Sequence, residues 1–232
     1  MNWLFRRLWP YLGLVALVAL SELLISIDQK AGLIAYGLWL LPAIFFSIMY
    51  ERHKELYVCI IGAPLIRLVS LIIPFNGKLT HLLATYGIFL VITLVYIFSI
   101  DSKPAKPAKS WFSWAWILPA LLLFLLRLLV AKPAQINLVI APVILLAALV
   151  NISYFNILLQ NLSEKAFAAG GTFLSALLFF LLQVNSGHGI LFIAFCCFES
   201  FLVFYAYRAT RSFLLLATMS VLFSLMAVFF PL

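Results

Sequence analysis

The chain has 232 residues, 66% of them hydrophobic and 9% charged, with a formal net charge of +8. That composition leaves almost nothing for a water-soluble domain, so functions that need one are excluded, and lipid is the solvent for most of the surface. The basic excess does not indicate a nucleic-acid partner, because no loop is long enough to gather a basic patch.

A membrane-spanning helix needs about 20 mostly apolar residues. Blocks of that kind are read at 8–27, 31–50, 56–74, 79–100, 113–131, 135–160, 166–184, 189–207 and 212–231. The expected fold is therefore all-α, a polytopic transmembrane helical bundle of about nine spans. The runs are continuous in Leu, Ile, Phe and Ala, unlike the ten-residue alternating segments of a membrane β-barrel. Arg6 and Arg7 precede the first block, and no small-x-small cleavage signal follows at 21–28. The block is expected to stay as a signal anchor. Block six is long and is expected to tilt or protrude.

The linker at 101–111 reads DSKPAKPAKSW, and its alternating Pro and Lys do not sustain a helix. Trp111, Trp114 and Trp116 follow it as an interfacial aromatic belt would. The chain thus divides into a four-span half at 1–100, a cytoplasmic Lys/Pro/Ala linker at 101–112 and a five-span half at 113–232. Pro42, Pro64, Pro119 and Pro142 fall inside blocks and are expected to kink them. Ala168, Ala169, Gly170, Gly171, Thr172 and Ser175 bring small residues to block seven, where helix backbones can approach closely.

Charge sets the expected orientation. With nine spans, Arg6, Arg7, Arg52, Lys54, Lys103, Lys106, Lys109, Lys165, Arg208 and Arg211 fall on one side. Lys30, Lys78 and Lys132 fall on the other, ten against three. The positive-inside rule then places the N-terminus in the cytoplasm and the C-terminus outside. The basic side is also suited to anionic lipid.

Charged side chains within the membrane are costly and mark either ion pairs or functional sites. Glu22, Arg67 and Arg127 lie at similar depths in the outer part of their blocks, so Glu22 is expected to pair with Arg67, with Arg127 as the alternative. Glu199 sits mid-block with no basic residue evidently at its depth, and is a candidate functional carboxyl. Block six carries Asn137, Asn151, Ser153, Asn156, Gln160 and Asn161, which suit hydrogen bonding between helices. His53, His81 and His188 sit at block ends as interfacial residues. Cys59, Cys196 and Cys197 have no metal-binding spacing and are expected as buried thiols. No metal or other cofactor is expected.

The second half resembles the CAAX-protease and bacteriocin-processing family of intramembrane peptidases (Abi or CPBP proteases). The family's first motif is a pair of glutamates, three residues and an Arg. The matching stretch is Asn151-Ile152-Ser153-Tyr154-Phe155-Asn156, then Ile157-Leu158-Leu159-Gln160. Its second motif, Phe-x-x-x-His in a Ser-Ala-Leu-Leu-Phe context, matches the run from Ser175-Ala176-Leu177-Leu178-Phe179 to Gln183. Its third, His-x-x-x-Asn or Asp, matches Ser220 to Ser224. Ser21-Glu22-Leu23-Leu24 and the stretch from Ala63-Pro64 through Arg67 to Leu71 look like the additional N-terminal helices of some bacterial members.

The resemblance implies a degenerate member. The family's glutamates are replaced by Asn151 and Ile152, its Arg by Asn156, and its histidines by Gln183 and Ser220. These side chains neither exchange protons near neutral pH nor supply metal ligands of the family type. Asn151, Asn156, Gln183 and Ser220 are expected to converge between spans six, seven and nine, joined by direct or water-mediated hydrogen bonds. The expected function is a pseudoenzyme: an accessory or scaffold subunit of a larger membrane complex in a prokaryotic inner membrane. Its expected partners are other integral membrane proteins and membrane lipids. The alternatives are an active intramembrane peptidase built around Glu199 and His188, or a small transporter whose path is lined by Glu22, Arg67 and Glu199.

Overall fold

The computed structural model describes residues 2–72, 78–100, 113–130, 141–183 and 189–229. Within these, the side chains of 2–7, 52, 67, 70–72, 78, 113–114 and 227–229 lie outside the description. The linker 101–112, Asn137, Lys132 and His188 fall outside the described residues.

The described residues form nine helices and no strand. They are α1 (Asn2–Ile27), α2 (Gln29–Met49), α3 (Lys54–Ile72), α4 (Lys78–Ser99) and α5 (Ile117–Val130). The rest are α6 (Ala141–Phe167), α7 (Ala169–Gln183), α8 (Ile190–Thr210) and α9 (Phe213–Phe229). Leu8–Ile27, Gln29–Met49, Leu79–Ser99, Ala141–Phe167 and Ile190–Thr210 are long and apolar enough to cross a membrane. Ile117–Val130, Ala169–Gln183 and Phe213–Met226 are apolar but shorter. The protein is an all-α helical bundle of membrane character.

The chain reverses between α1 and α2 at one residue. Asp28 is extended (φ −148°) and caps α2, its carboxylate accepting from the Lys30 and Ala31 backbone N–H groups at 3.2 and 3.3 Å. Gly32 makes so tight a hairpin feasible: a Cβ there would lie 2.1 Å from Ile25. The Trp39 indole N–H donates to the Leu14 carbonyl at 2.8 Å and fastens the pair further along.

α6 is the central helix. It packs against α3, α4, α7, α8 and α9, and 61% of its apolar window is buried, against 17% for α4 at the periphery. The Tyr154 hydroxyl donates to the Cys59 carbonyl at 2.7 Å, tying α6 to α3. Gly62 leaves room for that ring, since a Cβ there would sit 2.9 Å from it. α1 packs on α7 and α4 on α6, so the first half is fastened to the second through these faces.

Two expectations about the elements are corrected. Block six does not end at 160. It runs to Phe167, and 161–165, expected as a connection, are helical because their polar groups find partners on neighbouring helices. The true reversal is at Ala168, whose φ of 51° ends the helix. Pro119 does not interrupt a span. It lies in the first turn of α5, after a short 3-10 turn at Ser113–Trp116, where the missing N–H has no intrahelical role.

Candidate functional site

The middle of α6, Asn151–Gln160, is a π-helix. In an α-helix, residues five apart point about 140° from each other, at 3.6 residues per turn. The i→i+5 bonding of a π-helix widens the turn by one residue and brings such positions toward one face. Asn151 and Asn156 are five apart, and both line one cavity of about 400 Å3. Such wide turns occur often at functional sites.

Gln183 at the end of α7, Glu199 and Cys196 on α8, Arg127 on α5, and Ser220 and Ser224 on α9 line the same cavity. Tyr86, Phe179, Phe192 and Phe223 supply aromatic wall. The structure therefore brings Asn151, Asn156, Gln183, Ser220 and Ser224 around one space, together with two of the intramembrane charges. Ile152 does not join them; it is buried in the hydrophobic core.

No direct hydrogen bond joins the members of the set among the described residues. Asn156 donates to Gln160 at 3.2 Å, outside the set. Asn151, Gln183, Ser220 and Ser224 make no side-chain hydrogen bond within the described residues. The physical reason is the cavity: it separates the walls, and each group faces space instead of its neighbour. Polar groups left so cost about 1–3 kcal/mol each unless water or a ligand satisfies them.

Glu199 was expected to lack a basic neighbour, and that is corrected. Arg127 Nη1 donates to Glu199 Oε1 at 3.1 Å, with the two side chains 1% and 10% exposed. Arg127 is thereby the partner of Glu199 and not of Glu22. Glu22 Oε1 instead accepts from the Tyr36 hydroxyl at 2.5 Å. The Arg67 side chain lies outside the described residues, and with it the expected Glu22–Arg67 pair. Glu199 Oε2 makes no hydrogen bond within the described residues.

A second cavity of about 350 Å3 adjoins the first. Tyr86, Asn151, Phe179, Leu182 and Gln183 belong to both walls. Its remaining lining is mainly apolar, with Ile66, Leu82, Val150 and Phe155, beside His81 and Thr85. The Thr85 hydroxyl is buried there without a hydrogen-bond partner.

A polar network leads from Asn156 on the cavity wall to where α6 meets α7 and α8. Glu164 pairs with Arg211, whose Nη1 also donates to Asn161 Oδ1 at 2.8 Å. Gln160 Nε2 and the Thr172 hydroxyl each donate to Glu164 Oε1 at 2.8 Å, and Gln160 reaches the Phe204 carbonyl at 2.9 Å. Its Glu164 and Arg211 charges answer each other across separate elements, so it reads as a brace rather than a reactive site. Glu164 was not singled out in the sequence. Its signal was the i, i+4, i+8 stripe Asn156, Gln160, Glu164, which the structure links bond by bond.

Among the described residues, no three His, Cys, Asp or Glu side chains gather in a metal-holding group. His53 packs beside Phe167 and is away from the cavities, whereas His81 borders the second. Comparison with protein-family models, with curated proteins and with solved structures gives no match to the chain.

Proposed function

We propose that the chain is a non-catalytic integral membrane protein, a pseudoprotease of CAAX-protease type that serves as an accessory or scaffold subunit of a larger membrane complex. One observation carries this reading. The positions that resemble the family's acid, base and ligand places (Asn151, Asn156, Gln183, Ser220 and Ser224) share one cavity wall and are all neutral. Amides and hydroxyls of this kind can hold a ligand but do not activate water near neutral pH. The protein works in the inner membrane of a prokaryote, with its N-terminus in the cytoplasm.

Purification from native membranes in mild detergent, followed by identification of co-purifying chains, tests the proposal. The expected result is a stoichiometric integral membrane partner and no cleavage of transmembrane peptides. A chain that purifies alone overturns the subunit reading. A second reading rests on Glu199, which lines the cavity with Oε2 unbonded among the described residues. Peptidase activity that is lost in Glu199→Gln would replace the first reading with this one.

A further inference from the structure

We propose that the two adjoining cavities form one binding site for a single-chain lipid with an uncharged, hydroxyl-bearing head of the monoacylglycerol class. The inference goes beyond the accessory-subunit reading and does not depend on any partner.

The head chamber is defined by groups that need a ligand's hydrogen bonds. Asn151, Gln183, Ser220 and Ser224 line it without partners among the described residues, and Ser220 is only 7% exposed. The amides offer donor and acceptor side by side, and the hydroxyls offer either. Glu199 adds Oε2 as an open acceptor. A glycerol hydroxyl is also donor and acceptor at once, so a pair of them can donate to Glu199 and the amide oxygens while accepting from the amide nitrogens.

Charge selects against charged heads. Arg127 and Glu199 already neutralise each other at 3.1 Å, so the chamber has no net charge to offer. A phosphate brought here would lose its water and face Oε2 of Glu199. An ammonium would lose its water beside Arg127. Each carries a desolvation penalty that a neutral head avoids.

The tail chamber adjoins the head chamber across shared wall residues and is bounded by Ile66, Leu82, Val150 and Phe155. The Thr85 hydroxyl, buried and unpartnered on its wall, can reach the ester region where head meets chain. Each chamber falls in the size range of small-molecule sites.

The test is native mass spectrometry of the full chain in mild detergent. The probes are 1-monooleoylglycerol, oleoyl lysophosphatidylglycerol as the anionic analogue and oleylamine as the cationic one. The expected result is one retained monooleoylglycerol and weaker retention of both charged probes. Asn151→Leu/Gln183→Leu should weaken retention about tenfold, as loss of a few hydrogen bonds does. Leu82→Trp, which fills the tail chamber and leaves the head groups intact, should weaken it too. Thermal unfolding establishes that each variant is folded. Ser220→Ala/Ser224→Ala takes the place of the amide variant if that one misfolds. Absence of bound monooleoylglycerol overturns the proposal. So do equal or tighter binding of a charged probe and wild-type retention by the folded variants.

Discussion

Arg127 and Glu199 share a low-dielectric space, where their ion pair offsets part of the cost of burying each. Their side chains are 1% and 10% exposed and meet at 3.1 Å. Removing one partner of such a pair costs about 3–5 kcal/mol, because it strands a buried charge, whereas replacing both by apolar groups is often neutral or stabilising. Glu199→Leu and Arg127→Leu should therefore each lower the thermal unfolding midpoint in detergent, and the double variant should unfold at or above the better single. A double variant less stable than both singles would show that the pair is worth more than its burial costs. Both charges stood out in the sequence as expensive, but their pairing did not. Depth counted from block ends set Arg127 near an outer end and Glu199 at mid-span. That count ignores the Arg stem, which carries the guanidinium well away from its own backbone. Asn151 and Asn156 stood out as polar residues of block six, whereas Gln183, Ser220 and Ser224 were singled out only through a resemblance. Their lack of mutual bonds was not legible, because a sequence does not show a void.

At the scale of the element, close packing of α7 on α6 rests on Gly171. A Cβ at this position would lie 2.2 Å from the Ser163 carbonyl oxygen, a backbone atom that moves only if the helix moves. Overpacking of this kind costs about 1–3 kcal/mol. Gly170 is the internal control, since its nearest prospective contact is 4.0 Å away at Phe167. Gly171→Ala should lower the unfolding midpoint and Gly170→Ala should not, although helix propensity favours Ala in both. Equal effects from the two substitutions would remove the packing argument. The small residues of this stretch announced a close approach in the sequence, because only they permit one. The π-helix of α6 gave no such notice. No residue preference selects a turn closed by i→i+5 bonds, and the polar run 161–165 after it resembles a loop. It remains helical because Glu164, besides its i, i+4 bond from Gln160, is held by Thr172 and Arg211, two contacts that exist only after tertiary packing.

For the whole molecule, apolar block length made the fold class readable, while orientation depends on which helices cross. Nine crossings put the two ends of the chain on opposite sides, and the loss of any one puts them together. The count turns on the short members. Ile117–Val130 has 14 residues, which span about 21 Å at 1.5 Å per residue, less than a hydrocarbon core of about 30 Å. Packing argues that these members cross nonetheless. α7 joins the polar network through Thr172 and reaches the cavity through Gln183, alongside a central helix that descends from Asn151 to Glu164. α5 carries Arg127 into the same cavity from between α8 and α9. Local thinning of the bilayer at short helices costs only fractions of a kcal/mol per Å of mismatch. From the ten-to-three distribution of Lys and Arg, the positive-inside rule then predicts Lys103, Lys106 and Lys109 on the cytoplasmic side. Reporter fusions after Lys109 and after Leu232 should accordingly read cytoplasm and exterior. Two reporters on the same side would mean that one of the short helices does not cross. Opposite sides in the reverse sense would mean that basic charge does not govern the insertion of this chain.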